Sequence, residues 1–588
     1  MRTFGRGDID LPFGGSTQGF RGAIAAEHYL SAQAGMDVLK QGGNAFDAAA
    51  AATLVEGVVN PHMFTIGGEC PMLLYVKKEG KVVAINGNTA APAKANLEAY
   101  KQLGFELIPP EGVFAAGVPA AFSALVEMLL HYGSLSFEQI AEPAYLLAKE
   151  GFPVHVGLVQ MPKFSVQSNR EKFLDLWPAS AKLYLNPDKS VPMPGQRMKN
   201  PALADVFGTL IEESKRYGKD GRESGLKAAL EMFYKGEIAG EVASFVADQG
   251  GFLAREDLAG FQTHIEQPVS VQFRDTSVFK CGPWSQGPVF LQLLKLLEGF
   301  DLRALEHNSA DYLHLWVEAA KLAYADREQY YADPNFVEVP MDRLLSVDYN
   351  NQRRQLIDLE EASGLHRPGD PLRFNPFLPV YEVFLWESWG YGTVHVAVID
   401  AQGNMAALTP SGGWISGNEV IPSLGFPLTT RLQTFYLDAR HPNVPAPGKR
   451  PRTTLSPSLA FRRGRPWMVF GTMGGDQQDQ WTSQFFLNRV LFNMSVQEAI
   501  EAPKVTFNHS PAIFYPHDAF PRQLRLEGRI PSSVAGNLSK RGHIVEMEPD
   551  WAAGFICAVA RGEDEVLEAG ADPRGNKAAV FPACALAW

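Results

Sequence analysis

A mixed α/β fold is predicted by three features of the sequence. Helical patterns alternate with short apolar runs through the first third of the chain, an alanine-rich segment reads as a tightly packed helix, and a β-branched run begins abruptly at Thr393. Taken in order, Ser31 to Gln41 places Ala32, Met36 and Leu39 on one face, and Gly42 and Gly43 stop the helix. Asn44 then caps a second helix through AFDAAAAATLVEGVV, whose small side chains permit close packing, and Pro61 marks its end. Cys70 to Val76, the charged turn Lys77 to Gly80 and Val82 to Ile85 read as a hairpin.

Further along, Asn308 to Tyr331 forms a long helix capped by Asn308 or Ser309, with Tyr312, Leu315, Leu322 and Ala323 on its apolar face. His314 and Glu318 stand one turn apart on it. With no third ligand in view they read as a surface hydrogen-bonded pair, and no metal is assigned. Ser363 to Gly392 holds four prolines without periodicity and reads as an irregular linker over the surface. The run TVHVAVID from Thr393 to Asp400 reads as a buried strand, Ala401 to Asn404 as a turn, and Met405 to Thr409 as the returning strand.

Composition narrows the function. The chain has 588 residues, and 53 basic against 65 acidic side chains give a net charge of −12, which argues against nucleic acid as a partner. Four cysteines without a C-x-x-C pair read as buried or half-buried thiols. Met1 to Gly15 has no apolar stretch of signal-peptide length, and no window reaches the roughly 18 apolar residues needed for a membrane span, so a soluble cytoplasmic protein is expected. Serine-hydrolase, phosphate-loop, dinucleotide and zinc-protease motifs are all missing from the sequence, and no cofactor is expected.

What remains is Gly392-Thr393, at a junction between loop and strand. A glycine leaves the preceding carbonyl sterically open, so that the threonine hydroxyl can attack it and free a chain beginning at Thr393. Such a residue carries nucleophile and base together, because its new α-amino group has a pKa of about 7.7–8.0. Downstream, a β-type run leads into Gly474-Gly475, where backbone N–H groups can turn toward an oxyanion. Thr453, Thr454 and Ser456 in PRTTLSP are either ligand-facing hydroxyls or turn caps.

Six stretches in order, GGNAFD (42–47), VVNPHMFTIGG (58–68), GVFAAGVPA (112–120), GTVHVAVIDAQGN (392–404), GKRPRTTLSP (448–457) and GTMGG (471–475), resemble the gamma-glutamyltransferases, which are N-terminal nucleophile hydrolases. The resemblance implies an αββα four-layer sandwich made as one precursor and cleaved between Gly392 and Thr393. A large chain, 1–392, and a small chain, 393–588, would then form one domain, and a dimer of such pairs is compatible with it. It implies Thr393 as nucleophile, a supporting hydroxyl at Thr409 or Ser411 with the count favouring Ser411, oxyanion-hole glycines at Gly474 and Gly475, and substrate-side hydroxyls at Thr453 and Thr454.

Departures from the family pattern bear on substrate. The arginine that clamps a glutamyl α-carboxylate falls on Asn88, which lacks the charge and the bidentate geometry. The loop that usually supplies acids to the α-amino group aligns with Arg431 to Phe435, offering Arg431 and Gln433 instead. Arg431 and Arg452 read either as carboxylate partners or as solvated surface residues. The run GGDQQ is similar to the branch that includes oxamate amidohydrolase and cephalosporin and glutaryl acylases; its Asp476 either meets a substrate amide or caps the next helix. The expected function is hydrolysis of a small amide through an acyl-Thr393 ester, with transfer to an amine as a side reaction. Its competitors are a true glutathione hydrolase and an uncleaved, non-catalytic metabolite-binding protein.

Overall fold

The computed structural model describes residues 16–373, 392–577 and 582–588. Two seven-stranded sheets carry the architecture, and every strand pairing in them is antiparallel. The first sheet runs Cys584–Ala587, Gly22–Ala26, Val396–Asp400, Met405–Leu408, Met72–Val76, Lys81–Asn86 and His264–Glu266. The second runs Thr17–Gly19, Leu567–Ala571, Ile556–Arg561, Arg465–Thr472, Ser458–Arg462, Thr276–Lys280 and Val269–Phe273. In the first sheet the hairpin that follows Thr393 is wedged between strands from the beginning of the chain, Val396 opposite Ala26 and Leu408 opposite Met72. Segments on both sides of Gly392 therefore build a single core.

Alternation of side chains sorts each strand between two cores. Ala23, Ala25, Leu73, Ala397, Ile399 and Ala407 of the first sheet face Leu459, Val469, Cys557, Val559 and Ala569 of the second. The other face of the first sheet, with Ile24, Ala26, Val396, Val398 and Leu408, packs under helices Tyr29–Lys40 and Ala45–Val59. Helices Pro288–Leu297, Gln478–Leu491 and Val496–Glu501 cover the second sheet, and Ala310–Tyr330 lies over the first of these. The result is the αββα sandwich, helices outside and two sheets face to face.

The early elements fall where the sequence places them. Asn44 caps Ala45–Val59 by a reciprocal box with Asp47, and all of that helix is buried, as its alanines allow. The hairpin is Met72–Val76 with Lys81–Asn86, and Ser309 caps Ala310–Tyr330. Asp400, closing the strand that follows Thr393, accepts from Ala45 N at 2.9 Å and so sits at a helix N-terminus, where its charge is favoured. Cys70, Cys281 and Cys557 are buried thiols and Cys584 is half-buried. No helix among the described residues is long and apolar enough to cross a membrane.

Two expectations need correction. His314 and Glu318 are not a surface pair, because the helix carrying them is buried on nearly every side. His314 bonds His543 Nε2 and the Asp358 carbonyl, each at 2.8 Å, and Glu318 pairs with Lys321 and Arg367. The expected surface linker is irregular over 363–373, yet His366 and Arg367 are buried there, since Arg367 is drawn in to Glu318. Its remainder up to Gly392 lies outside the described residues.

Candidate active site

Thr393 stands just before strand Val396–Asp400 and forms an antiparallel bridge with Ser411. Its hydroxyl lies 3.1 Å from Ser411 Oγ, and both residues are buried. Ser411 Oγ also donates to the Gly392 carbonyl at 2.7 Å, and Trp414 Nε1 reaches the same oxygen at 2.6 Å. The carbonyl of the peptide expected to break is therefore gripped by two donors, with the candidate nucleophile beside one of them. Gly392 itself has no room for a side chain: a Cβ would lie 2.8 Å from the His62 carbonyl oxygen and Met63 Cα.

Thr409 is placed differently. Its hydroxyl meets His395 Nδ1 at 3.0 Å, and burial pushes the His395 pKa down to about 3, so this ring stays neutral. Of the two hydroxyls open at the sequence level, Ser411 is the one that touches Thr393.

Below Ser411 lies a buried cation. Arg431 Nη2 donates to Ser411 Oγ at 2.8 Å, Arg431 Nε pairs with Glu69, and the guanidinium lies 4.9 Å from the Trp414 ring centroid and 5.1 Å from that of Phe514. Burial raises the Glu69 pKa and the Arg431 charge opposes that rise. Glu69 is locked to the Ser411 backbone by reciprocal N–H to carbonyl bonds of 2.8 and 2.9 Å. Gly412, at φ +85°, makes room for this carboxylate, since a Cβ there would sit 2.5 Å from Glu69 Oε2. Arg431 is fully buried next to Ser411, which removes the solvated reading; Arg452 is also buried, spent on Glu328 and the Arg327 carbonyl.

Gly474 and Gly475 follow strand Arg465–Thr472 of the second sheet at φ +113° and +56°, a left-handed turn that glycine adopts without strain. Asp476 does not cap the helix Gln478–Leu491, which has no side-chain cap. Its carboxylate is engaged by Arg327 and by Ile513 N at 3.0 Å, while Tyr324 Oη donates to its carbonyl at 2.7 Å. Gln286 bridges this turn to the threonine pair: its backbone N–H donates to Thr453 O at 2.8 Å and its side-chain amide reaches the Gly475 and Asp476 carbonyls at 3.4 Å. Thr453 Oγ1 accepts from Leu455 N at 3.4 Å, a turn cap, whereas the buried Thr454 hydroxyl has no hydrogen-bond partner among the described residues.

Asn88 is buried and donates to Pro451 O at 2.6 Å, tying its strand end to the PRTT segment, and Arg450 bonds its carbonyl. Gln433 donates to Pro110 O at 3.0 Å and to Thr430, so its amide supports the loop that carries Arg431. Glu69, Trp414, Arg327 and Gln286 were not singled out from sequence. The signal for the first two was local, each directly following a Gly-Gly pair; the other two lie in helical or loop contexts with no motif.

A family model described as gamma-glutamyltranspeptidase matches residues 31–581. The chain belongs to this family. Among its gamma-glutamyltranspeptidase relatives, the glutathione hydrolase-like YwrD proenzyme of Bacillus subtilis is 31% identical over 96% of this chain and 99% of its own. The oxamate amidohydrolase proenzyme of Klebsiella pneumoniae is 30% identical over 95% and 98%. The solved structure of a cephalosporin acylase from Bacillus halodurans superposes with a TM-score of 0.83 at 29% identity, covering 100% of this chain and 99% of the acylase. The chain is thus an enzyme of the N-terminal nucleophile hydrolase class, and its relatives are named as proenzymes, acylases and amidohydrolases.

Proposed function

We propose that the chain is a self-processing amidohydrolase whose nucleophile is Thr393. Cleavage of the Gly392–Thr393 bond yields chains 1–392 and 393–588 that stay together in the one sandwich. The free Thr393 amine takes the hydroxyl proton, the oxygen attacks a small amide, and Gly474 and Gly475 N–H groups hold the oxyanion. The amine then protonates the leaving nitrogen, and water releases the acyl group from the Thr393 ester. A single observation carries this reading: the Thr393 hydroxyl lies against Ser411 at 3.1 Å while Ser411 and Trp414 both hold the Gly392 carbonyl.

The acyl group is proposed to be other than a zwitterionic γ-glutamyl. Asn88 at the clamp position is neutral and committed to Pro451 O, and the Arg431–Phe435 loop carries no acid to meet an α-amino group, its Arg431 being spent on Glu69 and Ser411. Thr454 is the hydroxyl left to line the substrate, whereas Thr453 caps its turn, Gln433 supports the loop that carries Arg431, and Asp476 acts by holding the glycine turn. Denatured intact mass with N-terminal sequencing tests the first part: a small chain beginning at Thr393 is expected, and a single 588-residue mass would refute it. A γ-glutamyl anilide assayed beside glutaryl and oxamate amides tests the second. Because one relative is named glutathione hydrolase-like, preference for the γ-glutamyl anilide would decide for glutathione hydrolysis.

A further inference from the structure

The three bonds to Ser411 Oγ fix where every proton sits. Arg431 Nη2, at 2.8 Å, can only donate, and the Gly392 carbonyl, at 2.7 Å, can only accept. Ser411 has one proton and two lone pairs. It therefore gives its proton to Gly392 O and one lone pair to Arg431, and only a lone pair remains for Thr393 Oγ1 at 3.1 Å. Thr393 must donate to Ser411, which leaves its own lone pairs free for the carbonyl carbon.

We infer that Ser411 and Trp414 form an oxyanion site used for self-cleavage, separate from the Gly474-Gly475 turn, and that Arg431 is the positioning residue that sets its proton order. The inference rests on Thr393 being the processing nucleophile. Trp414 Nε1 shares its single proton between Gly392 O at 2.6 Å and Met63 O at 3.0 Å, so the indole keeps a partner after Gly392 departs. The Trp414 ring in turn lies against the Arg431 guanidinium, 4.9 Å from its centroid, which joins the donor and the positioning cation into one unit. Glu69 balances the buried charge.

The step balances without an added reactant until water enters. Thr393 Oγ attacks the Gly392 carbonyl carbon as its proton passes to Ser411, whose own proton moves toward the developing oxyanion. The tetrahedral centre collapses with cleavage of the C–N bond, and the proton returns through Ser411 to the Thr393 nitrogen. The product is a Gly392 ester of Thr393, which water hydrolyses to a Gly392 carboxylate and a free Thr393 hydroxyl and amine.

The test follows full-length chains by denatured intact mass after a pulse of in vitro synthesis. Trp414→Phe keeps a ring against Arg431 and removes the N–H; loss of one oxyanion donor is expected to lengthen the cleavage half-time about 10- to 100-fold. Arg431→Ala is expected to slow cleavage comparably, and methylguanidinium, entering between Trp414 and Phe514, is expected to restore at least tenfold, whereas tetramethylammonium at equal ionic strength restores none. Melting of each variant in a Thr393→Ala background separates lost chemistry from lost folding. If Arg431→Ala fails to fold, Trp414→Phe decides alone. Cleavage of Trp414→Phe at the wild-type rate, with Thr393→Ala remaining one chain, would overturn this inference and leave the nucleophile standing; cleavage of Thr393→Ala before residue 393 would sink both.

Discussion

Ser411 Oγ faces the Thr393 hydroxyl at 3.1 Å, whereas Thr409, two residues earlier, turns its hydroxyl to His395 at 3.0 Å. The two hydroxyls thus divide between the candidate nucleophile and a buried histidine. Under the proposed mechanism Ser411→Ala removes the proton relay, and it is expected to slow precursor cleavage about 10- to 100-fold. Thr409→Val is expected to act mainly on stability, lowering it by about 1–3 kcal/mol as His395 Nδ1 loses its partner. Time courses of intact mass and urea unfolding of the two variants check this division.

Thr393→Ala keeps the strand, its bridge partner and the core, since the backbone pairing of Val394 N to Pro410 O at 2.9 Å does not involve the side chain. The variant is expected to remain one chain of wild-type stability to within about 1 kcal/mol and to lose all amidase activity. Appreciable turnover by the purified, uncleaved variant would rule out the nucleophile.

The elements legible in the sequence were those fixed by local chemistry. Asn44 with Asp47 announces a capped helix, and TVHVAVID announces a buried strand, because both signals are complete within a few residues. Gly392-Thr393, Ser411 and Gly474-Gly475 were placed through ordered motifs and a count. What sequence could not show is where long-range charges end. Arg431 meets Glu69 across 362 residues and Arg327 meets Asp476 across 149, so sequence left Arg431 open between a carboxylate partner and a solvated residue, left Asp476 open between a substrate contact and a helix cap, and gave no sign of Arg327. His314 and Glu318 failed for the same reason: helical spacing records which residues share a face, not what covers it.

Burial raises the Glu56 pKa to about 7 against the hydrogen bonds from Asn60 and His28 N, which favour the charged form. A carboxyl whose folded pKa lies above its unfolded value of 4.5 binds more protons in the folded state between those limits. Its contribution to stability is therefore fully present below about pH 4.5 and is lost as pH rises to about 7, a change of roughly 3 kcal/mol. Glu56→Gln is expected to abolish that share of the pH dependence. Urea midpoints of both proteins at pH 5 and pH 8, in the Thr393→Ala background, measure it.

Asn88→Arg asks whether the clamp position has been read correctly. Asn88 Nδ2 meets Pro451 O at 2.6 Å, and its Oδ1 is buried without a partner among the described residues, so a guanidinium there must displace a satisfied contact and its longer side chain must find space. The variant is expected to lose about 1–3 kcal/mol of stability and to raise the ratio of γ-glutamyl to simple-acyl amide hydrolysis about tenfold. An unchanged ratio in a folded, cleaved variant would show that this position does not govern acyl choice.

A buried charge holds the residue that follows the glycine turn. Arg327 pairs with the Asp476 carboxylate while Tyr324 holds the Asp476 carbonyl, so the residue directly after Gly474-Gly475 is fixed at both ends. Arg327→Met leaves that carboxylate uncompensated and is expected to cost about 3–5 kcal/mol. Adding Asp476→Asn removes the stranded charge and is expected to recover part of the stability. Turnover is expected to separate from stability in this pair: with the turn no longer held, kcat on a good amide substrate stays lowered about 10- to 100-fold in the double variant. A double-mutant cycle read by urea unfolding, alongside kcat for each member that cleaves, distinguishes a turn that is positioned by the ion pair from one that merely sits beside it.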